Sequence, residues 1–304
     1  MTSTIEGPIT LVVGSDSVIG GALLESLQSS GHSAMGTTRR RNTVNESRAY
    51  LDLSDEQVNW AHPLPVATAV LCAGVSRLED CRTDPSGSRR INVESLCGLA
   101  EELSSQGAFV IFLSTNRVFD GATPYPTVED PVSPATEYGR QKAEAERRIS
   151  RLEGQTAIVR LTKVLGPADP LFAGWRKSLS GSETIHPFED VGMAPVPLTC
   201  AVAVLRRVLE TRFPGIIQVS GPEDVTYAEA AKWGAHALGA DVDLIHPISF
   251  AASAQVKEPI PANNTLDVRG LKADLGVEIP DVRWTIETAF VDPGRLGTSG
   301  KVFI

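Results

Sequence analysis

Short apolar runs alternate with amphipathic stretches through the first half of the chain. The run ITLVV at 9–13 is followed at 17–30 by apolar side chains that recur at helical spacing. Further apolar runs lie at 32–37, 50–53, 67–72, 109–113 and 154–161, and helical patterns lie at 89–105 and from Tyr138 onward. Strands that alternate with helices pair in parallel through right-handed crossovers. The pattern therefore predicts an α/β protein with a Rossmann-type, doubly wound parallel sheet.

Prolines break the second half of the chain into shorter elements. Helical patterns persist at 198–211 and 227–238, and 216–219 is a predicted strand. We expect a first domain at 1–165, and at 166–304 the remaining sheet elements interleaved with a small carboxyl-terminal domain. The tail, 292–304, is expected to be loosely ordered.

Composition narrows the class of protein and its partners. The chain has 304 residues, of which 42% are hydrophobic and 21% charged, and its net charge is -9, which argues against a nucleic-acid-binding surface. The first residues lack the basic region of a signal peptide, and no apolar run approaches the roughly 20 residues of a membrane span. Four cysteines show neither zinc nor disulfide spacing. We expect a cytoplasmic protein without a metal and without nucleic-acid or membrane partners.

The turn GSDSVIG joins the first strand to the first helix. Gly14 at the strand end permits a tight turn, and Gly20 permits close packing of the helix on the strand. The helix start, with Ser17, Val18 and Ile19, can bind the pyrophosphate of a dinucleotide. An ordinary strand-turn-helix unit is the alternative.

Basic residues follow the second predicted strand, and no acidic residue stands at its end. Arg39, Arg40 and Arg41 suit a ribose 2′-phosphate, whereas a carboxylate there would suit a free 2′-hydroxyl. NADP(H) is therefore the favoured cofactor, NAD(H) is the second choice, and a solvated basic loop is the alternative to both. The other predicted cofactor contacts lie at or near strand ends or on the helix at 89–105, and they are Asp52, Leu53, Cys72, Ala73, Gly74, Asn92 and Ser114.

A proton-transfer set follows the apolar run at 109–113. Thr115 stands at the carboxyl end of that strand, where open α/β sheets place their chemistry. Tyr138 and Lys142 are one helical turn apart and so share a helix face. A free phenol titrates near ~10, and a nearby cation lowers that pKa. We predict Thr115, Tyr138 and Lys142 as catalytic residues; a half-buried core tyrosine and a solvated surface lysine are the alternative.

Several short motifs resemble those of a known family, and the resemblance extends over nearly the whole chain. STNRVFDG at 114–121 is similar to the motif Ser-Thr-Asp-Tyr-Val-Phe-Asp-Gly, and YGRQK at 138–142, with Glu146 beyond, is similar to Tyr-Gly-x-x-Lys-x-x-x-Glu. INV at 91–93 and VSGP at 219–222 also match. The chain resembles the extended short-chain dehydrogenase/reductase group and, within it, the dTDP-4-dehydrorhamnose reductase branch.

The resemblance implies an NADPH-dependent reductase of a nucleotide-activated 4-keto sugar. The first domain would bind NAD(P) and the second the substrate. Tyr138 would protonate the keto oxygen, and Lys142 would also bind the nicotinamide ribose. The predicted substrate contacts are Ser76, Asn116, Arg117 and Val118. A homodimer is left open.

Three residues depart from the family motifs. Ser17 replaces the middle glycine of the turn, although its hydroxyl can still donate to phosphate, and Asn116 replaces an aspartate. Arg117 replaces a tyrosine, and its charge suits an anionic sugar substituent. If the segment stays extended, Arg117 points into the same pocket as the catalytic hydroxyl. The alternative is a surface pair of Arg117 with Glu129 or Asp130.

Two other functions remain open. A nucleotide-sugar epimerase would also retain Tyr138 and Lys142, but such enzymes hold NAD, which the basic residues disfavour. A non-catalytic, nucleotide-binding regulatory subunit is favoured by Ser17 and Arg117, and the methionine adenosyltransferase regulatory subunit resembles the same branch. The presence of Thr115, Tyr138 and Lys142 together favours an enzyme.

Overall fold

The computed structural model describes most of the chain, namely residues 7–55, 58, 60, 64–152, 155–252 and 258–291. The tail at 292–304 and the first residue of the run predicted at 154–161 lie outside this part. No helix among these described residues is long and apolar enough to cross a membrane. The same residues contain no group of three or more side chains that could hold a metal ion.

The strands are listed in chain order as β1 (Ile9–Val13), β2 (Ala34–Thr38), β3 (Arg48–Tyr50), β4 (Val66–Leu71), β5 (Phe109–Thr115), β6 (Thr156–Leu161), β7 (Val164–Leu165), β8 (Gly192–Met193), β9 (Val196–Pro197), β10 (Gly215–Val219) and β11 (Val225–Thr226). The α-helices are α1 (Val18–Ser29), α2 (Leu78–Thr83), α3 (Pro85–Arg89), α4 (Leu96–Ser105), α5 (Glu137–Ile149), α6 (Pro170–Ser180), α7 (Leu198–Thr211), α8 (Tyr227–Leu238), α9 (Leu271–Leu275) and α10 (Val282–Phe290).

Seven strands form one parallel sheet, in the order β10-β6-β5-β4-β1-β2-β3. The predicted fold class is therefore confirmed. Every residue of β1 and of β5 is buried, which is typical of parallel strands covered by helices on both faces. Leu11, Val110 and Phe112 belong to the resulting core and are fully buried. Burial of each such side chain contributes roughly 1.5–3 kcal/mol to stability.

Local sequence explains where the helices beside this sheet begin. Ser17 caps α1 by accepting a hydrogen bond from the amide of Gly20. Thr136 caps α5 in the same way, and Glu137 in the first turn of that helix complements its dipole. Each cap fixes the direction of the chain at the start of its helix. It therefore also fixes the positions of the residues just before the first turn.

Several elements differ from the pattern prediction. The helix predicted at 89–105 is interrupted by a π-helical segment, Arg90–Ser95, between α3 and α4. Helices α2, α6, α9 and α10 were not predicted. Helix α6 begins at Pro170 after the capping residue Asp169, a position at which proline is favoured. Branched and aromatic residues in α10 hid its helical period.

The chain divides into two compact units, each discontinuous in sequence. The first comprises Met1–Phe119, Pro131–Arg160 and Val202–Ile217. The second comprises Asp120–Asp130, Leu161–Ala201 and Gln218–Ile304. The predicted division at residue 165 stays a prediction.

The second unit has a core of its own, built on aromatic contacts. The ring centroid of Phe172 lies 5.3 Å from that of Trp175 and 5.5 Å from that of Phe290. The Trp175 ring meets Tyr227 edge-on at 6.2 Å. Aromatic pairs at such distances stabilise a fold beyond the area that they bury.

A buried ion pair joins β6 to α5 in the first unit. The Arg160 and Glu146 side chains are 3% and 6% exposed, and Arg160 Nη2 lies 2.8 Å from Glu146 Oε2. Arg160 Nε donates to Glu146 Oε1 at 3.1 Å, and the Ser114 hydroxyl donates to the same oxygen at 2.5 Å. The pair therefore fixes α5 to both β5 and β6.

Removal of one partner of this pair should be costly. Glu146→Ala leaves a buried guanidinium without its counter-charge, and we expect the free energy of unfolding to fall by roughly 3–5 kcal/mol. Urea unfolding followed by circular dichroism measures it. Glu79→Ala is the control, because Glu79 pairs with Arg82 at the surface, where exposed pairs contribute about 1 kcal/mol or less. Equal losses in the two variants would contradict a structural role for the buried pair.

Candidate active site

A cavity of about 440 Å³ lies in the first unit, at the carboxyl ends of β1, β2, β3 and β4. Predicted site residues on its wall are Gly14, Ser17, Arg39, Arg40, Asp52, Leu53, Ala73, Gly74 and Ser76. Unpredicted residues on the same wall include Asp16, Thr37, Arg77, Asp80 and Ile91. The other predicted cofactor contacts lie off this wall, and they are Val18, Ile19, Gly20, Cys72, Asn92, Ser114, Tyr138 and Lys142.

The first turn approaches the loop after β4 so closely that residue 14 must be glycine. Gly14 has φ +85, and a Cβ there would lie 2.7 Å from Ala73 atoms. Its amide donates to Thr37 Oγ1 at 3.0 Å, and the Ser15 hydroxyl donates to the Thr37 carbonyl at 2.9 Å. The turn is thus bonded to β2 on one side and packed against β4 on the other, as a dinucleotide cradle requires.

The Ser17 hydroxyl is engaged within the turn itself. Its oxygen donates to the Gly14 carbonyl at 2.8 Å and accepts from the Gly20 amide at 3.1 Å. Donation to a phosphate would require the bond to Gly14 to break. The amides of Val18 and Ile19, at the start of α1, are not used by the helix's own hydrogen bonds. They remain as donors for an anion.

The three arginines after β2 are in different environments. Arg39 and Arg40 are exposed on the cavity wall. The Arg41 guanidinium instead lies 3.9 Å above the centroid of the Tyr50 ring. Asp52 accepts bonds from the amide and hydroxyl of Ser54, and these bonds, with the charges of Arg39 and Arg41, lower the pKa of the Asp52 carboxyl. Only two of the three guanidinium groups thus reach the cavity.

Asp16 is a site residue that the sequence reasoning missed. Thr38, the last residue of β2, donates its hydroxyl proton to Asp16 Oδ2 at 2.7 Å. Arg48 Nη1 lies 3.8 Å from Asp16 Oδ1. A carboxylate therefore does stand at the end of β2, although it comes from the first turn. The acidic residue between the two glycines was the available signal.

Asn92 holds the loop that follows β4. It is fully buried in the π-helical segment. Its side-chain oxygen accepts from the Val75 amide at 2.7 Å, and its nitrogen donates to the Val75 carbonyl at 2.9 Å and to Gln141 Oε1 at 2.8 Å. The amide thus serves the backbone beside Gly74. Burial raises the pKa of the nearby Cys72 thiol to about 12, which keeps it protonated.

Strand β5 ends at Thr115 in a tight turn. Thr115 caps a 3-10 turn, Asn116–Val118, and its side-chain oxygen accepts from the Arg117 amide at 3.2 Å. The Thr115 hydroxyl donates to Asn116 Oδ1 at 3.3 Å. The segment does not stay extended through Arg117, so that premise was wrong. Val118 is fully buried.

The first turn of α5 lies against this 3-10 turn. A Cβ at Gly139 would lie 2.1 Å from the Arg117 carbonyl oxygen, so only glycine allows the contact. The approach brings the neighbouring Tyr138 to the end of β5, where its phenol is hydrogen-bonded with the Thr115 side chain. Two of the three predicted catalytic residues are therefore in contact.

Burial dominates the ionisation of the Tyr138 phenol. It raises the pKa of Tyr138 to about 12, with a further rise from Cys81, while Thr115 and the Arg117 charge act in the opposite direction. The expectation that a cation would bring this pKa down is therefore wrong in its net direction, because desolvation of the phenolate outweighs the cation. Tyr138 holds its proton at neutral pH.

Lys142 is buried one helical turn after Tyr138 on α5. Its side chain is bonded to the Leu113 carbonyl, and its nitrogen lies 3.9 Å from the centroid of the Phe112 ring. The residue is 5% exposed, so it is not a surface lysine. Burial lowers the pKa of Lys142 to about 8, against the opposing charge of Glu146.

Known proteins resemble this chain over most of its length. A family model described as RmlD substrate binding domain matches residues 9–293. The probable low-salt glycan biosynthesis reductase Agl14 of Haloferax volcanii is 24% identical over 295 residues, which cover 92% of this chain and 98% of that protein. Methionine adenosyltransferase 2 subunit beta of Rattus norvegicus is 26% identical over 280 residues, covering 88% and 82%.

Solved structures share the fold at low identity. The dTDP-4-dehydrorhamnose reductase of Bacillus anthracis, in complex with NADP, gives a TM-score of 0.78 at 18% identity and covers 95% of this chain and 99% of that one. MoeE5, in complex with UDP-glucuronic acid and NAD, gives 0.77 at 20% identity and covers 93% and 97%. These structural relatives thus bind NAD or NADP, and one also binds a nucleotide sugar.

The buried amine predicts a pH dependence of stability. The pKa of Lys142 falls from 10.5 to about 8 on folding. Between these values the unfolded chain binds more protons at this residue, so the contribution of Lys142 to stability should rise with pH, by at most about 1.4 kcal/mol per pH unit. The buried thiols of Cys72, Cys97 and Cys200, whose pKa values are raised from 9 to about 11 or 12, act in the opposite direction. Tyr138 acts oppositely above pH 10, because its folded pKa of about 12 exceeds the usual 10.

The measurement is the difference between the free energies of unfolding of wild type and Lys142→Met in urea, followed from pH 8 to pH 10, below the range in which Tyr138 acts. The cysteine contributions are common to both proteins and cancel in this difference. Lys142→Met should remove the rise. The control, Lys232→Met, alters an exposed lysine and should keep it. If the free energies of unfolding of wild type and Lys142→Met change with pH in parallel, burial of the charged amine does not destabilise the folded chain.

Proposed function

The chain belongs to the RmlD substrate binding domain family, and we propose that it is an NADPH-dependent reductase of a nucleotide-activated 4-keto sugar. The observation that supports this most is the hydrogen bond between Thr115 and Tyr138, whose pKa of about 12 keeps the phenol protonated at neutral pH, with the buried Lys142 one helical turn further along α5. The cavity at the strand ends supplies a second argument, because its tight turn and arginines suit a phosphorylated dinucleotide.

The residues on the cavity wall fit the proposed cofactor. Gly14 leaves room where a side chain would collide with Ala73, and the start of α1 offers the amides of Val18 and Ile19 to the pyrophosphate. When bound, NADPH supplies the hydride that reduces the carbonyl carbon. The chain's own residues bind it, orient the sugar and supply the proton.

Tyr138 is the proposed general acid. With a pKa of about 12 it holds its proton at neutral pH. Its O–H bond breaks as the carbonyl oxygen of the sugar takes the proton and the carbonyl carbon takes the hydride. The Thr115 hydroxyl orients that oxygen by a hydrogen bond. The phenolate left behind is stabilised by Thr115 and by the positive charge of Arg117, and solvent then returns the proton.

Lys142 is proposed to connect the cofactor with this acid. Its amine is held on the Leu113 carbonyl at the end of β5, which fixes its reach toward a nicotinamide ribose. Because its pKa is only about 8, a cofactor phosphate or a newly formed phenolate nearby would favour its charged form. Binding of the cofactor and formation of the phenolate would therefore each raise the pKa of Lys142, while its side chain keeps one position.

A regulatory subunit is the second candidate. The hydroxyl of Ser17 occupies the Gly20 amide, so the helix start offers one donor fewer to a pyrophosphate. Methionine adenosyltransferase 2 subunit beta is a relative at 26% identity. An epimerase is the third candidate and would show no net use of NADPH. The cytoplasmic location and the homodimer stay predictions.

The test is turnover on a panel of nucleotide-activated 4-keto sugars, followed as loss of NADPH absorbance. We expect stoichiometric oxidation with at least one sugar. Tyr138→Phe keeps the ring and loses only the proton, so turnover should fall by ~10²–10⁴-fold while NADPH affinity stays nearly unchanged. No oxidation with any sugar, in a protein that binds NADPH, would favour the regulatory subunit.

The arginines at the cavity predict a preference for NADPH over NADH. Charge-assisted bonds to a 2′-phosphate contribute on the order of 1.5–3 kcal/mol. Arg39→Met should therefore lower the preference by about tenfold or more, whereas Arg41→Met should not, because Arg41 lies on Tyr50. Fluorescence titration measures both affinities. Tighter binding of NADH by the wild type, or the same loss in both variants, would contradict the assignment.

Arg117 is proposed to bind an anionic group of the sugar near its keto carbon. The Arg117 charge lowers the pKa of the Tyr138 phenol, although it is the smallest of the influences on that group, and this supports a guanidinium within electrostatic range of the phenol. One structural relative binds UDP-glucuronic acid, an anionic nucleotide sugar.

The prediction for Arg117 concerns selectivity. Arg117→Lys keeps the charge and loses the planar fork, so kcat/KM should fall several-fold for an anionic nucleotide sugar and stay nearly constant for a neutral one. Steady-state kinetics with a matched anionic and neutral pair measures this. The same fractional loss with both sugars would mean that Arg117 does not contact the anionic group.

A further inference from the structure

We infer that Asp16 contacts the 2′ position of the cofactor's adenosine ribose and shifts the balance between NADPH and NADH toward NADH. This inference rests on the proposed dinucleotide site and adds a determinant of cofactor choice to it. Asp16 opposes the preference that Arg39 and Arg40 create. The cavity then carries groups suited to both forms of the ribose.

The position of Asp16 is fixed by β2. Thr38, 1% exposed, ends that strand and donates its hydroxyl proton to Asp16 Oδ2 at 2.7 Å. The bond holds a side chain of the first turn against the end of the second strand. Asp16 lies there on the wall of the same cavity as Arg39 and Arg40.

The free oxygen of this carboxylate can accept a further bond. Asp16 Oδ1 is 3.8 Å from Arg48 Nη1, which is longer than a hydrogen bond. A ribose with two free hydroxyls would donate to such an oxygen. A carboxylate at the end of the second strand is the group that dinucleotide-binding proteins use for this hydroxyl. Here the turn before α1 supplies it.

The same charge disfavours a 2′-phosphate. Two anionic groups in contact repel each other, and Arg48, at 3.8 Å from Asp16, compensates the carboxylate charge only in part. Arg39 and Arg40 on the same wall attract the phosphate. NADPH thus gains from two guanidinium groups and loses from one carboxylate, while NADH gains a hydrogen bond. The two affinities are brought closer together by Asp16.

The test is the ratio of the NADH and NADPH dissociation constants, measured by fluorescence titration without any sugar. Asp16→Asn keeps an oxygen for the Thr38 hydroxyl and loses the charge. We expect the ratio of the NADH constant to the NADPH constant to rise about tenfold, which corresponds to ~1.4 kcal/mol. Tighter NADPH binding and weaker NADH binding should both contribute.

Asp52→Asn is the matched control. It makes the same charge change on the wall of the same cavity, but Asp52 is held by Ser54 after β3 and is expected to face the adenine. The ratio should therefore change much less than in Asp16→Asn, because Arg39 is a smaller influence on the Asp52 carboxyl than the bonds from Ser54. An equal shift of the ratio in the two variants would mean that net charge, not the position of Asp16, sets the preference, and would overturn the inference.

The remaining outcomes separate this inference from the proposed function. An unchanged ratio in Asp16→Asn, in a chain that reduces a keto sugar, overturns the inference alone. The expected shift in a chain that reduces no sugar supports the inference and contradicts the reductase. A wild-type chain that binds neither dinucleotide overturns both.

Discussion

The candidate active site depends on one close contact between α5 and the end of β5. Residue 139 has no side chain, and a Cβ there would lie 2.1 Å from the Arg117 carbonyl oxygen. Because residue 139 has no side chain, the first turn of α5 can reach the 3-10 turn capped by Thr115. The contact brings Tyr138 to Thr115, and the buried pair of Glu146 with Arg160 holds the later turns of the same helix.

The same burial gives the two titratable groups opposite shifts. Desolvation raises the pKa of the Tyr138 phenol to about 12 and lowers that of the Lys142 amine to about 8. Both shifts favour the uncharged form, which is the form in which a phenol serves as an acid. The nearby charges of Arg117 and Glu146 are smaller opposing effects. The protonation of both groups thus depends on their burial more than on the nearby charges.

The sequence predicted the sheet and the long helices well, because their apolar residues follow a regular pattern over the length of each element. Helices α7 and α8 were predicted to the residue, whereas α6 and α10 were missed because proline and branched residues obscured them. Thr115 and Tyr138 could be predicted from motifs. The carboxylate of Asp16 at the end of β2 and the internal bonds of Ser17 could not, because each depends on contacts made only in the folded turn.

Transfer of a labelled hydride tests the central claim most directly. The protein would be given a nucleotide-activated 4-keto sugar and NADPH that carries deuterium at the transferable position, and the product would be examined by mass spectrometry and NMR. A reductase places one deuterium on the former keto carbon and a solvent-exchangeable proton on its oxygen. A sugar that is recovered unchanged, with the label still in the cofactor, would contradict the account.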